Sequence, residues 1–307
     1  MGNAYFLVGA TASGKSAIAQ YIAEREGQLI VSADSMNLYR GMDIGTAKPT
    51  ADERSRVDYA GIDIAEPIEK FNVASYLESV RPVLKTDRET IVVGGTGLYV
   101  KCLTEGFDDV PPENEVLRAE LEALEYHALE KRAKKDAPDL YETLTEDDQQ
   151  NPRRLIRILE RANGRDGSQD DPNVGSWNSK PKPKLVGLKV EREVLLERIV
   201  ARVESMYQRG LIDEAKELSK LDLSQTAMQA IGYAEAFAVL KNEMTQDEAK
   251  EQTIIRTRQL AKRQMTWFRN QLNIEWIDAA LYPDIQGLAE AVSNAWEKIG
   301  PTPLVLN

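Results

Sequence analysis

The sequence predicts an α/β fold, a P-loop-type parallel sheet with flanking helices plus an inserted all-helical domain. Three observations carry that expectation. Six short apolar runs end in turn residues and alternate mostly with helical patterns, as expected of a parallel sheet covered on both faces. The first run passes through a Gly-rich loop straight into a helical pattern. Between about Asn114 and Pro183 the apolar runs disappear and the text reads as helix only.

Taken in order, Ala4-Tyr5-Phe6-Leu7-Val8 is a buried strand, and Gly9-Ala10-Thr11-Ala12-Ser13-Gly14-Lys15-Ser16 meets the pattern G-x-x-x-x-G-K-[ST] at every fixed position. Ala17, Ile18, Tyr21 and Ile22 then recur at helical spacing. Leu29 to Val31 is the second strand and Gly61 to Ile64 the third. Thr90 to Val93 follows, then Lys184 to Leu188 and Ile274 to Ile277. The expected domains are a sheet core with C-terminal helices over 1–113 and 184–307, and a helical insertion over 114–183. A polar stretch, Gly164 to Pro183, reads as the flexible loop that closes the insertion.

The phosphate-binding pattern carries the first chemical inference. Consecutive backbone N–H groups and the positive end of the helix dipole point into such a loop; Lys15 adds an ammonium, and the Ser16 hydroxyl can hold Mg²⁺. In parallel sheets the ligand sits at the C-terminal strand ends, so the second strand's exit, Ser32-Ala33-Asp34-Ser35-Met36-Asn37, matters next. Asp34 has three readings there: an indirect Mg²⁺ ligand, a general base, or the N-cap of a following helix. The fourth strand runs into Gly94-Gly95-Thr96-Gly97-Leu98-Tyr99, where glycines admit close backbone approach and Thr96 supplies a donor and acceptor. Lys101, one helical turn on, could reach the same cavity.

A formal net charge of −11 argues against nucleic acid unless positive charge is concentrated locally. Two helices concentrate it. After Asn151 as cap and Pro152 in the first turn, Arg153, Arg154, Arg157 and Arg161 fall within an arc of roughly 100°, opposite Leu155 and Leu159. Four arginines on one arc repel each other unless an anion lies over them. Downstream, Thr245-Gln246-Asp247-Glu248 is a capping box opening a long helix. Arg258, Lys262 and Arg269 form one stripe of it and Arg256 with Arg263 another, interleaved with Gln259, Gln264 and Trp267.

With 42% hydrophobic and 29% charged residues the chain has the balance of a folded soluble protein, not of a disordered one. No stretch reaches the ~18 to 20 apolar residues of a membrane span, and the first strand follows without a leader, so a cytoplasmic protein is expected; a monomer is the expectation for its assembly, though no residue pattern specifies it. One cysteine, Cys102, and one histidine, His127, exclude internal disulfides and disfavour a Cys/His zinc site.

Together these residues resemble the tRNA dimethylallyltransferases, also called tRNA isopentenyltransferases. The likeness rests on the Gly9 to Ser16 loop, Ser32-Ala33-Asp34-Ser35, and Tyr39 to Pro49. It continues through Val93 to Tyr99, Asn151 to Leu155, Ile231-Gly232-Tyr233 and Thr257 to Arg269. The resemblance implies transfer of a dimethylallyl group from dimethylallyl diphosphate, with Mg²⁺, to N6 of the adenine 3′ to the anticodon in tRNAs reading codons that begin with U. Gly9, Ala10, Thr11, Ala12, Ser13, Gly14, Lys15 and Ser16 would then hold the diphosphate, with Lys101 and Arg202 assisting and Ser16 on the metal. Asp34 and Thr96 would be catalytic. Implied tRNA contacts are Asp34, Ser35, Met36, Asn37, Thr96, Arg118, Arg153, Arg154, Arg157, Gln229, Gly232 and Tyr233. Lys262, Arg263, Gln264, Thr266, Trp267 and Arg269 complete that set. One departure is Ala234, where many members carry a basic residue.

Two other readings compete. A small-molecule P-loop kinase shares the loop, the sheet and the carboxylate, and predicts ATP turnover, but leaves the arginine helices without a role. An RNA-binding protein using ATP or another nucleotide as a switch leaves Thr96 and the Gly-rich turn unexplained. The all-helical prenyltransferases with DDxxD motifs find no support, since Asp147-Asp148-Gln149-Gln150-Asn151 lacks the last carboxylate.

Overall fold

The computed structural model describes residues 2–106, 114–164 and 182–306. Most of the polar stretch Gly164 to Pro183 lies outside the described residues. The chain divides into two compact units, Met1–Phe107 with Lys180–Asn307, and Asp108–Ser179.

The first unit opens with β1 (Asn3–Gly9), α1 (Lys15–Glu26), β2 (Leu29–Ser32) and α2 (Ala51–Arg56). β3 (Tyr59–Ala60), α3 (Val73–Leu84), β4 (Thr90–Gly94) and α4 (Gly97–Glu105) follow. In the second unit the described elements are α5 (Glu115–Glu122), α6 (Tyr126–Asp136), α7 (Pro138–Glu142), α8 (Glu146–Gln149) and α9 (Pro152–Asn163). The first unit resumes with β5 (Lys184–Lys189), α10 (Arg192–Gln208), α11 (Leu211–Leu218), α12 (Gln225–Met228), α13 (Tyr233–Leu240) and α14 (Gln246–Gln271). It ends with β6 (Asn273–Asp278), α15 (Ile285–Ile299) and β7 (Thr302–Pro303).

The strand order is β3-β2-β4-β1-β5-β6, all parallel, with β7 antiparallel on the start of β1. Leu7 pairs with Val93 on one side and Val186 on the other, and Ser32 pairs with Val93. The exits of β1, β2 and β4 therefore share one edge of the sheet. Strand positions Leu7, Ile30, Ile91, Val186 and Leu188 pack with Ile18 and Ile22 of α1 and with Leu288, Val292 and Trp296 of α15. Burial of such side chains contributes about 1.5–3 kcal/mol each, and the Trp296 indole N–H is satisfied by Phe6 O at 3.0 Å.

The third strand is displaced from its expected position. It is Tyr59–Ala60, pairing with Ile30 and Val31, while 61–64 turns away. Gly61 (φ 75°) and Asp63 (φ 54°) are left-handed, which extended backbone excludes. The Asp63 carboxylate also accepts from Lys48 Nζ at 2.6 Å and Arg54 Nη1 at 2.5 Å, so this apolar-looking run serves a partly buried ion cluster around buried Lys48.

α14 starts at the Thr245/Glu248 capping box that the sequence predicts. Its buried stripe, Ala249, Thr253, Thr257, Ala261 and Phe268, keeps to one face at helical spacing. In the second unit, Leu121 of α5, Leu129 and Ala133 of α6, Tyr141 of α7, and Leu155, Ile156, Ile158 and Leu159 of α9 form a separate core. Among the described residues no helix is long and apolar enough to cross a membrane.

Candidate active site

One cavity opens at the shared strand edge, lined by Thr11, Lys15, Ser16, Asp34, Asn37, Thr46 and Arg202 among others. Its phosphate side is built by the turn from β1 into α1. Gly9 has φ 156° and a Cβ there would press on Leu188 O at 3.0 Å; Gly14, the N-cap of α1, has φ 92°. Ala12 also has positive φ, 62°, a cost a non-glycine residue bears where surrounding structure holds it. The first N–H groups of α1 have no intrahelical acceptor and favour an anion.

Lys15 is buried, with Nζ donating to Ala10 O at 3.1 Å. Burial pushes its ammonium down to about 8, opposed by the Asp34 charge and reinforced by Arg202. Arg202, from α10, donates to Thr11 Oγ1 and Thr46 O, each at 3.2 Å. Burial lowers its guanidinium pKa too, with Asp34 offsetting. Arg198, one turn earlier on α10, donates to Ser13 O at 3.0 Å and braces the loop from outside. Lys15, Arg202 and Arg198 thus converge on one loop; the Asp34 charge acts on Lys15 and Arg202, and Glu53 is a second carboxylate on the cavity wall.

Asp34 follows β2. Its Oδ1 accepts from Met36 N–H at 2.9 Å, closing an Asx turn; the next helix, α2, is capped by Thr50 instead. Asp34 therefore closes a turn and does not, as one of its readings had it, cap the next helix. Beside it, Thr96 Oγ1 accepts from Ser35 N–H at 2.9 Å and lies 3.3 Å from Ser35 Oγ. Thr96 N–H donates to Ala33 O at 3.0 Å, an approach that requires Gly94, because a Cβ there would collide with that same carbonyl group. Behind this junction Tyr76 stacks on Tyr99 with centroids 4.0 Å apart and donates to Ser32 O at 2.9 Å. Asp34 and Thr96 are thereby fixed from two strands on a rigid floor.

Several expected site residues are set elsewhere. Lys101 is not among the cavity's lining residues; buried in α4, it donates to Gln271 Oε1 at 3.0 Å and lies 3.9 Å from Glu105. The helical spacing that pointed Lys101 toward the Gly-rich turn carries it past that turn, onto α14. Tyr233 is 0% exposed, its hydroxyl accepting from Gly45 N–H at 3.1 Å and donating to Glu214, so no surface remains for RNA. Gly232 is buried as the left-handed N-cap of α13, its N–H held by Glu235 at 2.7 Å. Gln229 is exposed, and its carbonyl accepts from Arg256, which also pairs with the buried Glu235. Arg256 is thus a structural cation, not part of a free stripe.

Gln264 faces inward, accepting from Thr11 N–H at 2.8 Å and donating to Gly95 O at 3.0 Å. Trp267, one turn on, covers Gly97, where any Cβ would strike its ring. Lys262, Arg263, Thr266 and Arg269 are exposed on the same helix. In the second unit Arg153 and Arg154 are exposed, with Arg154 3.3 Å from Asp148. The expected repulsion along α9 is relieved internally: buried Glu160 accepts from Arg157 at 2.9 Å and from Arg118 at 2.7 Å. A lone acid three residues after an arginine was the overlooked signal. Cys102 is buried core and His127 is exposed on α6, neither beside the cavity.

The donor set suits a hard cation. Among the described residues no cluster of three His, Cys, Asp or Glu exists. Ser16 and Asp34 instead offer one hydroxyl and one carboxylate at the same cavity, as for Mg²⁺ that completes its shell with phosphate oxygens and water.

Comparison with known proteins gives concordant matches. A family model described as IPP transferase matches residues 37–271, and one described as isopentenyl transferase matches residues 2–63. tRNA dimethylallyltransferase 2 of Syntrophus aciditrophicus is 38% identical over 288 residues, spanning 89% of this chain and 90% of its own. The tRNA dimethylallyltransferase of Bacillus licheniformis is 38% identical over 287 residues, 89% of each chain. The crystal structure of the tRNA isopentenylpyrophosphate transferase from Bacillus halodurans superposes with a TM-score of 0.67 at 34% identity, covering 97% of this chain and 98% of that one. A eukaryotic dimethylallyltransferase captured acting on tRNA shares the fold, with a TM-score of 0.78 at 22% identity over 97% of this chain and 80% of that one.

Proposed function

Because the chain belongs to the IPP transferase family of tRNA dimethylallyltransferases, we propose that it transfers a dimethylallyl group from dimethylallyl diphosphate to N6 of an adenine in tRNA. The acceptor is the adenine 3′ to the anticodon, in tRNAs reading codons that begin with U. The observation that carries this reading is the shared cavity, in which Lys15, Ser16 and Arg202 face Asp34 across the strand edge.

In this mechanism the loop from Gly9 to Ser16 binds the donor's diphosphate through its N–H groups and Lys15. The N6 lone pair attacks C1 of the dimethylallyl group. The C1–O bond breaks and its electron pair leaves on the diphosphate, whose growing charge Lys15 and Arg202 neutralise in a site shielded from water. Asp34 accepts the N6 proton, using a carboxylate already oriented by Met36 N–H. Thr96, held by Ser35, hydrogen-bonds the acceptor base. Mg²⁺, held by Ser16 with Asp34 nearby, supplies further positive charge to the diphosphate oxygens when bound. Lys101 has no part in this step.

A stacked adenine cannot reach the cavity, so the base is extruded from the anticodon loop. Exposed Arg153 and Arg154 on α9, and Lys262, Arg263, Thr266 and Arg269 on α14, contact the RNA backbone. Tyr233 and Gly232 act through the segment they brace. The enzyme works as a cytoplasmic monomer in this reading.

Incubation of purified protein with Mg²⁺, unmodified tRNA and either dimethylallyl diphosphate or ATP tests it. Prenylated adenine and free diphosphate are expected. ATP-dependent phosphorylation without prenyl product overturns the reading.

A further inference from the structure

The cavity needs its two walls in register, since donor C1 and acceptor nitrogen must meet at about 3–3.5 Å for transfer. The donor wall hangs from β1 and the acceptor wall, with Thr96, from β4. The ladder joining those strands ends at Val8↔Gly94, just before both walls begin. Beyond that point one side chain continues the connection. The Gln264 amide accepts from Thr11 N–H at 2.8 Å and donates to Gly95 O at 3.0 Å, so opposite ends of one planar group span the two loops. Thr11 is held from its other side by Arg202, at 3.2 Å from its Oγ1.

The docking of α14 is built for this contact. Gly95 leaves the space that the Gln264 amide occupies, and Gly97, two residues on, leaves the space for Trp267. Gln264 and Trp267 are three residues apart and share a helix face, while Lys262, Arg263 and Thr266 point outward from the same turns.

We propose that Gln264 is a positioning residue for prenyl transfer, fixing the phosphate loop and the acceptor turn at one separation and touching neither RNA nor donor. This rests on the prenyl-transfer reading above. It assigns to the inner face of α14 a role in the reaction distinct from binding by its outer face.

Q264M, which keeps the bulk and removes both hydrogen bonds, is expected to lower the single-turnover prenylation rate by about 10²-fold. Affinity for an anticodon stem-loop should change by less than threefold. G95A is the second variant. Gly95 is not left-handed, so alanine fits its backbone, but the new methyl displaces the amide. It should reproduce the rate loss, and the double variant G95A/Q264M should be no slower than either single one. Additive losses, a normal rate in Q264M, or loss of stem-loop affinity matching the loss of rate would each overturn the assignment. Should Q264M not fold, G95A alone decides by its rate. A wild-type protein that makes no prenylated adenine fails the functional reading instead. In that event inorganic diphosphate affinity still reports the loop, and an unchanged affinity in Q264M counts against the positioning role of Gln264.

Discussion

Tyr233 and Gly45, far apart in sequence, form one unit: the Gly45 N–H donates to the Tyr233 hydroxyl at 3.1 Å, and the ring fills the space any Gly45 side chain would need. Glu214 completes the unit, accepting from the same hydroxyl and from Ile44 N–H at 3.0 Å. Y233F leaves the Gly45 donor buried without its partner, which costs about 1–3 kcal/mol. Chemical denaturation should register that loss while stem-loop affinity stays unchanged; a selective loss of RNA affinity would return Tyr233 to the RNA surface.

Asp34 has two jobs that substitution can separate. D34N keeps an oxygen for Met36 N–H and hence the turn, but has no basic carboxylate for the N6 proton. Its turnover should fall by ~10² or more with tRNA affinity retained, measured as single-turnover prenylation against stem-loop binding. A near-normal rate removes Asp34 from proton transfer.

Lys15 makes donor binding pH-dependent. With its pKa lowered to about 8 in the free protein, Lys15 is charged below that pH and increasingly neutral above it. A bound diphosphate favours the ammonium, so binding above pH 8 takes up a proton, and donor affinity falls by up to about tenfold per pH unit. Titration calorimetry in buffers of different ionisation enthalpy should detect that proton, and K15M should abolish it. The stability sign runs the other way. The folded pKa lies below the unfolded one, so the penalty of burying the charge is full below pH 8 and fades as pH rises toward the unfolded value.

The basic residues should sort by their partners. K262A and R269A remove exposed charges and should each make the salt dependence of tRNA binding shallower by about one. R157A removes a partner of buried Glu160 and should act mainly on the melting of the helical unit, with a smaller change in salt slope. Equal slopes for all three variants would contradict this division.

The edge of the sheet where the site lies was legible because it depends on local text: the Gly9 to Ser16 pattern, Asp34 after β2 and Thr96 after β4 each sit within a few residues of their strand. Tertiary partners were not. Nothing near Gln264 announces Thr11, and the helical spacing that makes Lys262 and Arg269 a stripe is silent on which side the sheet will cover. Burial likewise hides in composition. Tyr233 and Trp267 look like RNA-stacking aromatics until Gly45 and Gly97 are seen to receive them. The Gly61 to Ile64 run misled because its apolar residues fit a strand while Gly61 and Asp63 take left-handed backbone.

The central position of β1 has a consequence for synthesis. β1 leaves the ribosome before its partners β4 and β5, and Gly9 at its end finds its partner only at Leu188. At roughly 5–20 residues per second, the phosphate loop waits on the order of ten to forty seconds for its second neighbour. Until then the β5-facing edge of an apolar strand is open, the condition in which nascent chains recruit chaperones. The loop that begins the chemistry is thus made well before the second of the strands that flank it.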